Sequence, residues 1–489
     1  MKSSKIPILF LILALVSGCS GGGSSTPSPL ITTELISIDV EPAISSILTG
    51  STEQFTATGI YSNNTTTNLM ASITWTSSAP DVATINSNGF TTAVSTATTS
   101  TTMIMARSGN TTGSAILTVT GGSAAPAGNV LPITVNGSLC SASTSAYYPN
   151  KPCVSVTVCN PGTSTCQKID DILLDTGSFG LRIFKQALTI VSLTPIISGF
   201  GSVAECAQFG DGFSEWGPVQ LADVTLGSET AKNVPIQVID STFGTIPSAC
   251  GTPDTNPSVA GFTGILGVGV LIHDCGSACI SDASNGIYYS CNGPACTGAA
   301  VPLTSQVQNP VTLLSTDNNG VIVELPTVPS NGSSSVNGIL VLGIGTKSNN
   351  IPSGVTVYKA DAVGEITTIF SSNYSGIIDS GSNGFFFTPP SAGLLPNCPS
   401  PNSAWFCPLS ITTLSAKNAG ASGSPSSDVI FQIGNFISLA NSPNNVFSNL
   451  GGSAPGIFDW GLPLYFGRNI CVGIEGKASG LGTGPYFAY

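Results

Sequence analysis

Ile172-Leu173-Leu174-Asp175-Thr176-Gly177-Ser178 is answered, 204 residues further on, by Gly376-Ile377-Ile378-Asp379-Ser380-Gly381-Ser382. Each copy places an acid, a hydroxyl residue, a glycine and a serine at the end of an apolar, strand-like run. A second apolar run follows each one, Leu181-Arg182-Ile183-Phe184 after the first and Phe385-Phe386-Phe387 after the second. A strand of this kind carries its Asp to the end of a buried sheet. The glycine permits a tight turn that aims the carboxylate, and the neighbouring hydroxyl orients the supporting structure. Two copies related by a pseudo-twofold axis set two carboxyl groups face to face. Like charges that close do not both ionise easily, so such a pair shares a proton. One carboxylate then activates water while its protonated partner polarises a carbonyl. Asp175 and Asp379 are therefore the candidate catalytic residues. Thr176, Gly177, Ser178, Ser380, Gly381 and Ser382 form the supporting loops.

Composition points the same way. Of 489 residues only 8% are charged, against roughly 25% in an average soluble domain. Lys and Arg total 13, Asp and Glu total 25, and the net charge is -12. That balance argues against a nucleic-acid partner, which requires clustered cations. A single histidine, His273, rules out a zinc site with two or three His ligands, and any Ser-His-Asp or Cys-His site would have to use it. It reads as a surface or loop residue. Carboxylate catalysis needs no histidine. No paired CxxC motif and no ligand-spaced Asp/Asn loop is present, so no metal and no cofactor are expected.

Lys2 and Lys5 precede an apolar run from Ile6 to Val16, a length that suits a signal peptide and falls short of the roughly 20 residues that span a bilayer. Val16-Ser17-Gly18-Cys19 resembles the bacterial lipobox, which marks Cys19 for lipidation, and residues 20–30 have the Gly/Ser/Pro make-up of a flexible linker. By the same resemblance, Ser20 implies sorting to the outer membrane of a Gram-negative envelope. Of 14 cysteines, 13 follow Cys19, and all of these lie at or beyond residue 140. In an exported chain they are expected to pair. Short spacings favour Cys159–Cys166, Cys275–Cys279, Cys291–Cys296 and Cys398–Cys407. Cys140–Cys153 and Cys206–Cys250 are the remaining plausible pairs, although sequence alone does not fix connectivity. Cys471, inside an apolar run, reads as a buried free thiol.

Residues 31–120 alternate apolar and polar positions in short runs separated by turns, as in Leu35-Ile36-Ser37-Ile38-Asp39-Val40 and Ile73-Thr74-Trp75-Thr76. That pattern indicates an antiparallel sandwich. Gly50, Phe55, Trp75 and Val82-Ala83-Thr84-Ile85 stand in the order of the group 2 bacterial Ig-like domain, which the whole stretch resembles. Trp75 is then a core residue, and the domain a spacer or adhesion module. Residues 121–128 look like a linker.

Residues 129–489 are strand-like and rich in Gly, Pro and Ser. Their duplicated motif resembles that of the pepsin-like aspartic peptidases. Gly264-Ile265-Leu266-Gly267-Val268-Gly269 looks like the family's apolar-apolar-Gly segment behind the catalytic loop, and Asp459-Trp460-Gly461 is a looser counterpart. Leu340-Val341-Leu342-Gly343-Ile344-Gly345 is similar to the strand that opens the second lobe. The resemblance implies an all-β chain in which an Ig-like sandwich precedes a bilobal domain, with lobes of about 129–335 and 336–489. It implies peptide-bond hydrolysis of a peptide or protein substrate by an Asp175/Asp379 pair. The family's flap maps onto Phe209, Gly210, Asp211 and Gly212, with Phe209 where the family has Tyr and Trp216 offering an indole N–H in its place. Asp211 and Glu215 read as solvated turn residues. The same region resembles uncharacterised Gram-negative lipoproteins. The alternative is a non-catalytic binding or adhesion lipoprotein held on an Ig-like stalk.

Overall fold

The computed structural model describes residues 33–48, 52–70, 72–94, 100–120, 128–140, 148–199, 201–210, 212–391 and 393–489. The leader, Cys19, the linker at 20–30, Gly50, residues 121–127 of the second linker and Asp211 lie outside them. Among the described residues the regular structure is mainly β-strand, with a few short helical turns. It divides into two compact units, Met1–Gly122 and Ser123–Tyr489. Among the described residues no helix is long and apolar enough to cross a membrane.

The first unit is a sandwich. Leu35–Glu41 pairs antiparallel with Thr56–Tyr61, and Ser100–Ser108 joins Thr111–Thr120 and Thr74–Ser77 in a second sheet. Period-two alternation turns Ile38 and Val40 inward and leaves Asp39 outside. They meet Phe55, Trp75, Ile104, Leu117 and Val119 in one core. Each large apolar side chain so buried contributes about 1.5–3 kcal/mol.

The second unit is built on a duplicated strand arrangement. Cys166–Asp175 pairs in parallel with Gly264–Val268, and that strand pairs antiparallel with Phe179–Phe184, which follows the first motif. In the other half Ser372–Ile378 pairs in parallel with Ile457–Trp460, which pairs antiparallel with Phe385–Phe387 after the second motif. A further parallel strand flanks each set, Glu229–Ile239 in the first half and Gly451–Ser453 in the second. Strands buried on both faces read as continuous apolar runs, which is why Ile172-Leu173-Leu174 lacks alternation; in Phe385-Phe386-Phe387 the middle ring is half-buried and packs on Trp405. Val336–Leu342 joins the two halves by pairing with both Val130–Val135 and Gly320–Leu325.

Six disulfides staple this unit: Cys140–Cys153, Cys159–Cys166, Cys206–Cys250, Cys275–Cys279, Cys291–Cys296 and Cys398–Cys407. Cys471 is unpaired and buried on the strand Arg468–Gly473. Arg182, the one charge in the run after the first motif, is buried too. Its guanidinium reaches Glu205 Oε1 at 2.6 Å and Asp274 Oδ2 at 3.1 Å.

Candidate active site

Asp175 is the last residue of its strand, and Asp379 follows the last residue of the equivalent one. Their loops make the same bonds at the same offsets. The Gly177 N–H donates to Asp175 Oδ1 at 2.7 Å and the Ser178 hydroxyl to Oδ2 at 2.5 Å. The Gly381 N–H donates to Asp379 Oδ1 at 2.7 Å and the Ser382 hydroxyl to Oδ2 at 2.9 Å. Each carboxyl is thus aimed by its own loop. The two carboxyl groups lie within hydrogen-bond reach of one another.

The residues after the acids tie the loops together. The Thr176 N–H donates to Ser380 Oγ at 3.1 Å, and the Ser380 N–H donates to Thr176 Oγ1 at 2.9 Å. Thr176 Oγ1 in turn donates to the Ile378 carbonyl at 2.9 Å, and Ser380 Oγ to the Leu174 carbonyl at 2.8 Å. Both hydroxyls are fully used and buried. The Tyr465 hydroxyl also meets Thr176 Oγ1, at 2.6 Å.

The glycines serve a purpose other than the turn read from sequence. Neither Gly177 nor Gly381 has a positive φ. A Cβ on Gly177 would sit 2.6 Å from Asp379 Cγ, and one on Gly381 would sit 2.8 Å from Asp175 Cγ. Each glycine therefore makes room for the opposite acid. Burial, and then the charge and hydrogen bond of Asp379, hold Asp175 well above the usual carboxylate range. A pair so placed retains a proton where isolated carboxyls have lost theirs.

Four neighbours of the pair are not marked as such by the motif. Tyr465 comes from the turn after Leu462–Leu464. Tyr148 donates to the Gly381 carbonyl at 3.4 Å. Asn150 Nδ2 donates to the carbonyls of Asn383 and Phe447, both at 2.8 Å, so a first-half segment is fastened beside the second acid loop. The third carboxyl near the pair is Asp459, buried on the strand Ile457–Trp460. A charged residue inside an otherwise apolar strand was the available signal for it.

Phe209 and Gly212 form the tip of a hairpin between Gly201–Gln208 and Ser214–Leu226. The Phe209 N–H donates to Phe213 O, and the Gly212 N–H to Phe209 O, each at 3.0 Å. Gly210 faces open space, and Asp211 lies outside the described residues. The Phe209 ring packs in a cluster with Leu173, Phe262, Ile265 and Tyr148. Trp216 is not part of the pair's network. Its ring is fully buried against Tyr289, and its N–H donates to the Phe243 carbonyl at 2.7 Å. Glu215 is likewise no solvated turn residue, because it is buried within a strand. His273 is half-buried and bridges to Gln308, apart from the acids.

The described structure is thus an all-β chain in which a sandwich unit accompanies a unit with a duplicated, acid-bearing strand motif. Residues 125–489 match the family described as "Protein of unknown function (DUF3443)", and the chain belongs to that family. Residues 35–119 match the bacterial Ig-like domain (group 2). "Ice-binding protein 1" of Shewanella frigidimarina (strain NCIMB 400) is 42% identical over 87 residues, which make up 18% of this chain and 9% of that protein. The chain therefore spans under a tenth of the length of that curated relative. Domains 5-6 of the S-layer protein SbsC align at 17% identity and a TM-score of 0.16, over 43% of this chain and all of that one. Domains 4-9 align at 13% identity and 0.17, over 81% of this chain and 65% of theirs. Scores this low carry no inference about fold.

Proposed function

We propose that the second unit is a pepsin-like bilobal aspartic endopeptidase in which Asp175 and Asp379 share one proton and hydrolyse peptide bonds through an activated water. The observation that carries this reading is the symmetric setting of the two acids. Identical loop bonds aim both carboxyls, two reciprocal Thr176–Ser380 bonds lock the loops, and two glycines clear the space between. A purely structural pair of buried acids gains nothing from such symmetry, and each buried carboxyl costs stability. In the proposed reaction the ionised acid takes a proton from water, the water oxygen attacks the peptide carbonyl, and the protonated acid donates to the carbonyl oxygen, giving a gem-diol. On its collapse the first acid passes its proton to the amide nitrogen, the C–N bond breaks to release the amine, and the second acid takes a proton back from a gem-diol hydroxyl, which leaves a carboxylic acid and restores the pair. Packing of Phe209 with Leu173 and Tyr148, and the Tyr148 bond to the Gly381 carbonyl, support reading the Phe209 hairpin as the cover of a bound peptide.

The N-terminal features support export, lipidation at Cys19 and a place in the cell envelope, with the Ig-like unit as a spacer. Replacing Cys19 by Ser should release the protein from the membrane fraction, and membrane retention of that variant would remove the anchor.

The test of the enzyme reading is a broad peptide library presented to the purified Cys19→Ser chain from about pH 3 to 7, a range chosen around ordinary carboxylate pKa values. Cleavage at acidic pH, inhibited by compounds that mimic the tetrahedral intermediate, is expected. No cleavage by a correctly folded protein would favour the non-catalytic binding or adhesion reading.

A further inference from the structure

The duplication that builds the site fails at one position. Two residues before each acid, Leu173 lies opposite Ile265 in the first half, and Ile377 lies opposite Asp459 in the second. The neighbouring register agrees, since Ile265 also faces Arg182 and Asp459 also faces Phe386, each on the strand that follows its motif. A carboxyl therefore stands where the fold's own repeat uses an isoleucine packed among Leu173, Phe184 and Phe262. Asp459 is 8% exposed, and its Oδ1 is buried without a hydrogen-bond partner. An apolar residue would fold more favourably there, because an unpaired buried polar atom costs roughly 1–3 kcal/mol.

What Asp459 touches indicates its use. The Ser382 hydroxyl that donates to Asp379 Oδ2 at 2.9 Å also lies within hydrogen-bond reach of the Asp459 carboxyl. The charged and titratable groups acting on Asp459 are Asp379 from the second loop and Asp175 from the first, with the Tyr465 phenol beyond them. The partners on its two adjacent strands, Ile377 and Phe386, carry no charge. Burial first, and then the charge of Asp379, hold Asp459 well above the usual carboxylate range.

We propose that Asp459 is a positioning residue for the Asp175/Asp379 pair: protonated, it orients Ser382 toward Asp379, and ionised, its charge widens toward higher pH the range over which the pair holds a single proton. This rests on the proposed peptidase reading. Protonated, Asp459 donates to Ser382 Oγ, which is then free to donate only to Asp379 and stabilises its ionised form. Ionised, its charge opposes loss of the pair's last proton. The three carboxyls release protons as one set, and the outermost acid carries part of the negative charge that would otherwise empty the pair.

The experiment compares pH–rate profiles of the full-length Cys19→Ser chain with and without Asp459→Asn, and with Asp459→Ile as the substitution that restores the repeat. The alkaline limb should fall by about one to two pH units in both variants, a shift of the size expected for removing one nearby charge at partial burial. The acid limb should stay in place in Asp459→Asn, whose amide donates to Ser382 Oγ as the protonated acid does, and should move to higher pH in Asp459→Ile, which has no such donor. An alkaline limb that does not move in Asp459→Asn overturns the inference while leaving the peptidase reading intact. A second measurement does not depend on cleavage. Carbon-13 NMR titration of the aspartate carboxyls, assigned through Asp175→Asn and Asp379→Asn, should show the pair's last proton leaving at lower pH when Asp459 is Asn. Coincident titrations would overturn the inference even if no substrate is found, whereas a shifted titration without cleavage would remove only the peptidase reading.

Discussion

Thr176 and Ser380 each donate a backbone N–H to the other's side-chain oxygen, at 3.1 and 2.9 Å across 204 residues of sequence. The bond pair fixes the separation of the two acid loops, because neither loop moves without leaving a buried donor unpaired. Thr176→Val keeps the shape and removes the oxygen that serves Ser380 N–H, Ile378 O and Tyr465 OH. It should destabilise the protein by about 1–3 kcal/mol, and Thr176→Ser should recover most of that loss. Combined with Ser380→Ala the cost should fall short of the sum, by roughly 0.5–3 kcal/mol. Denaturant midpoints of the parent, the three single variants and the double variant decide it, and strict additivity would mean that the loops are held by something else.

The glycines test the spacing of the acids. Gly177→Ala directs a methyl group at the Asp379 carboxyl, with Cγ 2.6 Å away. Cleavage should fall by about a hundredfold, the effect of displacing a reacting group by roughly 1 Å. Gly480 has open space around it, so Gly480→Ala should change stability by no more than about 0.5 kcal/mol and leave cleavage alone.

Stability should fall as pH rises, through the same groups. Asp175 and Asp459 are held above the usual carboxylate range mainly by burial. A carboxyl raised in the folded state favours folding fully below its unfolded pKa and loses that contribution as pH climbs through the folded value. Asp175→Asn removes this loss. Its melting temperature should exceed the parent's near neutrality, by about 2–4 °C for each kcal/mol recovered, and approach the parent's near pH 3. Calorimetry across pH checks the sign, and a variant less stable near neutrality would contradict it.

Much of the site was legible because it is local. The bonds from Gly177 and Ser178 to Asp175 span two and three residues, so a heptapeptide encodes them, and its repetition declares the pair. The hairpin tip that Phe209 and Gly212 form was readable for the same reason. The direction of Trp216 and Glu215 was not, because burial in a long strand depends on Tyr289 and other residues that arrive much later in the chain. Tyr465 and Asp459 lie more than 280 residues from Asp175; the resemblance set Asp459-Trp460-Gly461 behind an acid loop, but only the folded register turns Asp459 toward Ile377 and brings the Tyr465 hydroxyl to Thr176. The six disulfide pairs suited a reading by spacing, since five of them close separations of 13 residues or fewer.

Those separations also rank the bridges. Cys206–Cys250, with a separation of 44, should cost roughly 4 kcal/mol when both residues become Ser, and Cys275–Cys279, with a separation of 4, roughly 2. Cys471 is buried, and its thiol is pushed up to about 12 by burial and by Glu324. It should resist alkylation in the native protein and react after unfolding. Peptide mapping would reveal either result, and further reactive thiols at residues 140–407 would contradict the pairing.

The most direct test of the account is the rate at which one cleaved peptide is hydrolysed by the parent, Asp175→Asn, Asp379→Asn and the double variant, each shown to be folded. If the two carboxyls act as one proton-sharing unit, each single substitution should abolish cleavage, and the double variant should be no slower than either. Cleavage that survives both substitutions would contradict the claim that this pair does the chemistry.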